Sequence, residues 1–244
     1  TFTAPRRDDD AFASYKNRNK AALKNQELNP NVAFSDSIQA GIYMKHPRII
    51  RIKADMVDQM DYDKILSMYQ DRFKDASDFT FIFVGNVDVE KMKPVIAEYL
   101  GALPAVNRKE TFKDNKIEMR QGIYKNEFTK QQETPKASVF AFYNGDCKYD
   151  LRNNLLLSMT SQILDLVYTE KVREDEGGTY GVYVGGTLQK YPKEKAILQI
   201  IFDTAPEKKE KLMKIIFGEI DNITKTGPSE ANLNKVKEYM QKKH

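Results

Sequence analysis

The sequence predicts an α+β fold, a mostly antiparallel sheet with helices on one face, preceded by a helical segment. Three observations predict it. From Phe79 onward, short aromatic and β-branched runs alternate with longer runs of helical spacing, in the order β-α-β-β-α-β-β-α-α. Residues 1–77 carry helical spacing and no run that could make a sheet of their own. Turn formers separate the runs: Gly85-Asn86, Gly177-Gly178 and Gly227-Pro228.

The spacing predicts a first helix over 8–28, with Phe12, Tyr15 and Leu23 on or near one face. Asp8-Asp9-Asp10 falls at its positive N-terminal end, a helix-start cluster and not a metal site. Pro30 ends the run. A second helix is predicted over 35–44, with Phe34, Ile38 and Ile42 in register. A third is predicted over 60–73, with Ile65, Met68, Tyr69 and Phe73 as its stripe and Asp61 as a cap. Residues 79–85 read as a strand, and 89–100 as a helix with Met92, Val95, Ile96 and Tyr99 inward, stopped by Gly101 and Pro104. The polar stretch 105–115 reads as a connection.

Residues 119–128 and 137–143 read as two strands joined by a polar turn over 129–135. The longest helical run, 150–171, places Leu151, Leu155, Met159, Ile163, Leu166 and Val167 inward, and Gly177-Gly178 breaks it. Residues 179–188 and 196–202 pair as a hairpin around Lys190-Tyr191-Pro192-Lys193. Two helices, 207–223 and 229–240, close the chain, with Ser229 capping the second. We therefore expect residues 1–77 to be the remainder of a preceding domain and 78–244 to be the sheet domain. The chain opens on Thr1 in mid-pattern and stops at His244 inside a helical run, as a piece of a longer protein would.

The composition narrows the function classes. The 39 basic and 35 acidic side chains, net +4, are interleaved along the chain. That is a solvated mixed surface, and no nucleic-acid stripe is expected. The apolar runs 79–84 and 196–202 are too short to span a bilayer. Cys147 is alone, so neither an internal disulfide nor a Cys-based zinc cluster can form.

The chain has two His, neither in His-Glu-x-x-His nor in His-x-x-Glu-His, and a hydrolytic zinc centre needs about three protein ligands. No Gly-x-Ser-x-Gly elbow and no phosphate-binding Gly-rich loop occurs. A ferredoxin-like RNA-binding module needs a basic residue and a Gly in its aromatic strand, and 79–84 lacks both. What remains is the stretch 172–180, Val-Arg-Glu-Asp-Glu-Gly-Gly-Thr-Tyr, where Arg173 ends a long amphipathic run and Tyr180 opens a strand-like one. The ordinary reading is a helix-end Arg favourable to the dipole and a strand Tyr. The alternative is a guanidinium and a phenol brought to one rim, both able to donate to a peptide carbonyl or an oxyanion.

Three stretches resemble the pitrilysin/insulinase-like family of zinc metallopeptidases, the inverted-motif group. They are 69–73 with 78–88, then 93–104 with its Leu-Gly-Ala-Leu-Pro stop, and Arg173-x-x-x-Gly177-x-x-Tyr180. The opening Thr3-Ala4-Pro5-Arg6 through Asn29-Pro30 is similar to large bacterial members with fused halves. The order and spacing together resemble the C-terminal, non-catalytic half of such a protein. The resemblance implies a metallopeptidase-type α/β roll, and two halves that close like a clam around a chamber. The missing N-terminal half would hold the zinc and the Glu that activates water, so this chain itself would bind no cofactor. Arg173 and Tyr180 would be substrate-binding residues that reach the peptide backbone near the scissile bond. The implied partners are a peptide or unfolded protein substrate and the catalytic half, and the implied compartment is the periplasm or cell envelope. The alternative within the same fold is a catalytically inactive binding or scaffold subunit.

Overall fold

The computed structural model describes residues 4–174 and 181–243. The chain divides into two compact units, Thr1–Glu118 and Met119–His244.

In the first unit, helix α1 (Asp9–Glu27) starts where predicted, because the Asp8 side chain accepts from the Ala11 amide at 3.0 Å. Helix α2 (Pro30–Tyr43) begins earlier than the spacing predicts. Asn29 caps it by accepting from the Asn31 amide, and Pro30 takes the first turn, where a missing N–H costs nothing. Pro30 thus starts a helix as well as following one. A short 3-10 turn (Ala54–Gln59) buries Ala54 and Val57. Helix α3 (Tyr62–Phe73) is capped by Asp61, which accepts from the Lys64 amide. Tyr62 stacks on Phe12 at 4.3 Å and its hydroxyl accepts from the Asp8 amide, so the two helix starts are tied together. Helix α4 (Val89–Tyr99) is capped by Asp88.

The strand predicted over 79–85 is not formed: among the described residues none pairs with it in a ladder. Alternating apolar residues favour extended backbone, but a strand exists only with a hydrogen-bonding neighbour. Asp75 organises the return of the chain instead. It is 2% exposed, and its carboxylate accepts from the Ser77 hydroxyl (2.6 Å) and from the amides of Arg108 (2.6 Å), Ser77 and Val106 (both 3.0 Å). These bonds, that from Ser77 Oγ first, hold its proton affinity well below the usual carboxylate range against the opposing effect of burial.

The second unit contains the sheet. Strands β1 (Ala137–Asp146), β2 (Val182–Gln189) and β3 (Lys195–Thr204) form an antiparallel three-stranded sheet in the order β1-β3-β2. The predicted β2–β3 hairpin is present, with Val182 opposite Phe202 and Gln189 opposite Lys195. Residues 119–128, predicted as a strand, join no ladder among the described residues. Gly122 adopts φ 76°, which breaks the extended run, and Ile123 is almost fully exposed, so no apolar face fixes a register. Side chains tether this stretch to β1 instead, Asn144 Nδ2 donating to the Arg120 carbonyl at 3.3 Å.

Helix α5 (Leu151–Tyr168) is capped by Asp150, which accepts from the Asn153 amide at 2.8 Å. Helix α6 (Lys209–Thr226) follows a 3-10 turn (Pro206–Lys208), and α7 (Glu230–Lys243) begins after Ser229, whose hydroxyl accepts from the Asn232 amide. The register puts Val139, Ala141, Val182, Val184, Leu198, Ile200 and Phe202 on one face of the sheet. Leu164 and Tyr168 of α5 and Leu212 and Ile216 of α6 pack on that face in one buried cluster. The predicted arrangement of helices on one face is therefore present here.

Of the α5 residues predicted inward, Ile163 and Val167 are buried, against Val236 of α7, but Leu151 and Leu155 are exposed. The residues that meet the sheet are Ser161, Leu164 and Tyr168. Contact with β2 is close at Gly186, where an added Cβ would lie 2.3 Å from Ser161 Oγ and 3.0 Å from Leu157. The buried Tyr168 hydroxyl donates to the Ile216 carbonyl at 3.0 Å and ties α5 to α6.

Three outcomes follow from this packing. Ile200→Ala should lower unfolding free energy by about 2–5 kcal/mol. Tyr168→Phe should lower it by about 1 kcal/mol. Both changes should shift the urea midpoint at unchanged m. The third outcome concerns pH. Because folding lowers the proton affinity of Asp75, the folded state binds fewer protons there than the unfolded chain. Its contribution is complete above the ordinary carboxyl range near about pH 4 and is lost as pH falls through the folded value. Acid titration followed by circular dichroism should show this loss in the wild type and a shallower one in Asp75→Asn.

Candidate functional site

The stretch singled out by the sequence begins where α5 ends. After Tyr168 the chain continues without a break into a π-helical turn, Thr169–Glu174. A π turn adds backbone between residues that would otherwise stack, and such turns occur often at functional sites. Leu164, Tyr168 and Val172 recur every four residues and are all buried in the cluster between the sheet and α6. Val172 is the last of these anchors and Arg173 follows it directly. Lys171, on the solvent side, pairs with Glu219 of α6 at 2.5 Å.

On the other side of the gap, Gly181 precedes β2, and Val182 is buried in the same cluster as Val172. Val182 stands opposite Phe202, and Phe202 stands opposite Val139, so this end of the sheet holds the starts of β1 and β2 and the end of β3. The described residues that flank the Arg-to-Tyr stretch therefore share one core. The backbone of Arg173 lies in the π turn. Its side chain, all of Tyr180, and the Gly177-Gly178 break lie outside the described residues, as does His244.

Among the described residues no group of three or more His, Cys, Asp or Glu side chains is placed to hold a metal. His46 sits in a turn, where its Nδ1 accepts from the Arg48 amide at 3.2 Å. Cys147 is half-buried and takes part in no disulfide. Among the described residues no helix is long and apolar enough to cross a membrane.

Sequence reasoning did not find Asp75, Ser161, Tyr168 or Gly186. The clue to Gly186 was the Gly185-Gly186 pair inside a strand, which often marks close approach of another backbone element. The Asp75-x-Ser77 spacing is a local turn pattern that announces part of this hub, whereas the Val106 and Arg108 donors come from some thirty positions later in the chain.

An antiparallel three-stranded sheet covered on one face by helices places the second unit in the α+β class. The profile described as Peptidase M16 inactive domain matches residues 59–240, and the chain belongs to that family. It is similar to the probable zinc protease PqqL of Escherichia coli (strain K12), with 24% identity over 238 residues, covering 96% of this chain and 25% of that protein. The crystal structure of the periplasmic protease PqqL from Escherichia coli superposes with a TM-score of 0.76 at 21% identity, over 97% of this chain and 26% of that one. The ferredoxin protease FusC, solved as a variant in complex with Arabidopsis ferredoxin, superposes with a TM-score of 0.72 at 14% identity, over 97% of this chain and 25% of that one. The chain thus spans about a quarter of the length of the relatives it matches.

The anchor at the site is apolar, and mutation can separate it from the ion pair beside it. Val172→Ala should cost about 2 kcal/mol of stability, from lost burial and the cavity left behind. Lys171→Ala should cost less than about 1 kcal/mol, as surface pairs do. Chemical denaturation of the two variants in parallel tests the ranking.

Proposed function

We propose that this chain is part of the non-catalytic half of a zinc endopeptidase, with the task of enclosing peptide substrate and supporting the transition state. One observation carries the reading: the chain belongs to the M16 inactive-domain family, and the relatives it matches along nearly its whole length are zinc proteases four times as long. In this proposal the zinc and the water-activating Glu reside in the N-terminal half, outside these residues. Arg173 and Tyr180 supply hydrogen-bond donors. The guanidinium is a permanent cation with forked N–H groups, and the phenol is a neutral donor at physiological pH. Both suit a carbonyl oxygen that gains charge as the tetrahedral intermediate forms.

The geometry of the flanking residues supports this division of labour. Val172 and Val182 are buried in one cluster, so the chain leaves and re-enters the same core on either side of the Arg-to-Tyr stretch. A rigid helix end and a rigid strand start can hold donors to within the tolerances that oxyanion stabilisation needs. Closure of the two halves would exclude water from the site and bring these donors up to the substrate. Substrates would be peptides or unfolded proteins that fit the chamber. The FusC structure with ferredoxin supports a protein substrate, and the periplasmic location of PqqL supports an envelope compartment.

The test uses the full-length protein, with its upstream half. Arg173→Ala and Tyr180→Phe should each reduce kcat for peptide cleavage by about 100- to 1000-fold, the usual cost of one oxyanion donor. Zinc content should be unchanged. Wild-type rates in both variants would remove the catalytic-support role. An upstream half without His-x-x-Glu-His would assign the chain to the binding or scaffold class.

A further inference from the structure

The end of the sheet away from the Arg-to-Tyr stretch carries a surface with its own chemistry. There the turn between β2 and β3, residues 190–194, meets the segment between β1 and α5, residues 147–150. The Cys147 amide donates to the Glu194 carbonyl at 3.4 Å. Lys190 Nζ lies 5.6 Å from the centre of the Tyr149 ring and 5.4 Å from that of Tyr191. Cation–π attraction thus gathers one charge and two phenols into a single group. The length of β2, Val182–Gln189, sets this group roughly 23 Å from the strand start beside the Arg-to-Tyr stretch.

The apolar parts of this surface face solvent. Tyr191 is 76% exposed and Leu151 83% exposed, and Tyr149 and Leu155 are exposed with them. Leu151 and Leu155 are one turn apart and share a face of α5. Cations surround them: Lys148, Arg152, Lys190 and Lys193 are all exposed. Segments 148–152 and 190–193 hold these four cations and a single acid, Asp150, whose carboxylate caps α5. The flanking acids are Asp146, paired with Lys195 at 2.7 Å, and Glu194.

A cationic rim around exposed phenols and leucines calls for a partner that is anionic and apolar at once. The boundary of a lipid bilayer has that character. Tyr rings settle at headgroup level, and Lys stems lie along apolar surface while their ammonium groups stay in water. A folded acidic protein would answer the charges, but it would also need shaped recesses for Tyr191 at the hairpin turn and Leu151 at the helix start. A soft surface needs none.

We infer that this end of the second unit docks on an anionic lipid surface, with Lys148, Arg152, Lys190 and Lys193 against the headgroups and Leu151 and Tyr191 at the acyl boundary. The contact lies in the interface and does not span the bilayer. It does not rest on the peptidase reading and does not involve Arg173 or Tyr180.

Co-sedimentation of the full-length protein with phosphatidylcholine vesicles, with and without phosphatidylglycerol, tests it. The protein should bind the vesicles that contain phosphatidylglycerol and not the neutral ones, and added salt should weaken the binding. Lys148→Ala and Lys190→Ala should each weaken it about fivefold, the worth of one lysine near an anionic surface, and together about 25-fold. Leu151→Ser and Tyr191→Ser should each weaken it about tenfold through lost apolar burial. All four side chains are exposed, so the circular dichroism of the variants should match that of the wild type. No binding to either vesicle, or binding that the four variants leave unchanged, would overturn the inference. Equal binding to both kinds of vesicle would overturn it by removing the role of the cations. Retention on immobilised polyglutamate without vesicle binding, lost in the two lysine variants, would overturn the lipid in favour of an acidic protein partner.

Discussion

The second unit depends on how closely α5 can approach β2. With no side chain at Gly186, Ser161 and Leu157 occupy the space a Cβ would need. That contact sets the depth at which Leu164, Tyr168 and Val172 enter the core shared with Ile200, Phe202 and α6. Ser161 is tolerated there because its hydroxyl donates to the Leu157 carbonyl at 2.9 Å, within its own helix. Tyr168 is tolerated because Ile216 accepts its hydroxyl. Burial and the loss of hydration push its ionisation well above the usual phenol range, so it stays a neutral donor.

The path of the chain toward β2 follows from where that helix stops. A regular helix continued past Tyr168 would carry its next turns along the sheet. The π turn instead keeps Val172 in the core, and Arg173 follows it directly in the chain. The return into β2 at Val182 enters the same core. The α5–β2 contact thus fixes both flanks of the stretch in one core.

The two units contrast in how much apolar surface they bury. The second closes its apolar face with its own helices. The first is held by caps, by the Phe12–Tyr62 stack, by the Arg51–Asp36 pair and by the hub at Asp75, and of these only the stack is apolar. Polar hubs of this kind fix loop geometry but bury little apolar surface, and burial is the main driving force of folding.

Much of the outcome was readable in the residues. Asp8, Asp61, Asp88, Asp150 and Ser229 each sit one residue before a helix, because their side chains satisfy amides that the helix leaves open, and that is a short-range rule. The β2–β3 hairpin was equally legible from its alternation and turn. The Arg-to-Tyr stretch stood out as chemistry on its resemblance to a family, and the family followed, while the placement of the two side chains is a matter for the whole protein. Only the tertiary structure decided which alternating runs became strands. Residues 79–85 and 119–128 carry much the same pattern as 137–146, but a strand needs a neighbour across the ladder, and neighbours are supplied by the fold and not by the run itself. The same holds for Gly186 and for the Val106 and Arg108 bonds of Asp75, whose partners are distant in sequence: local propensity is written residue by residue, whereas pairing is a property of two segments at once.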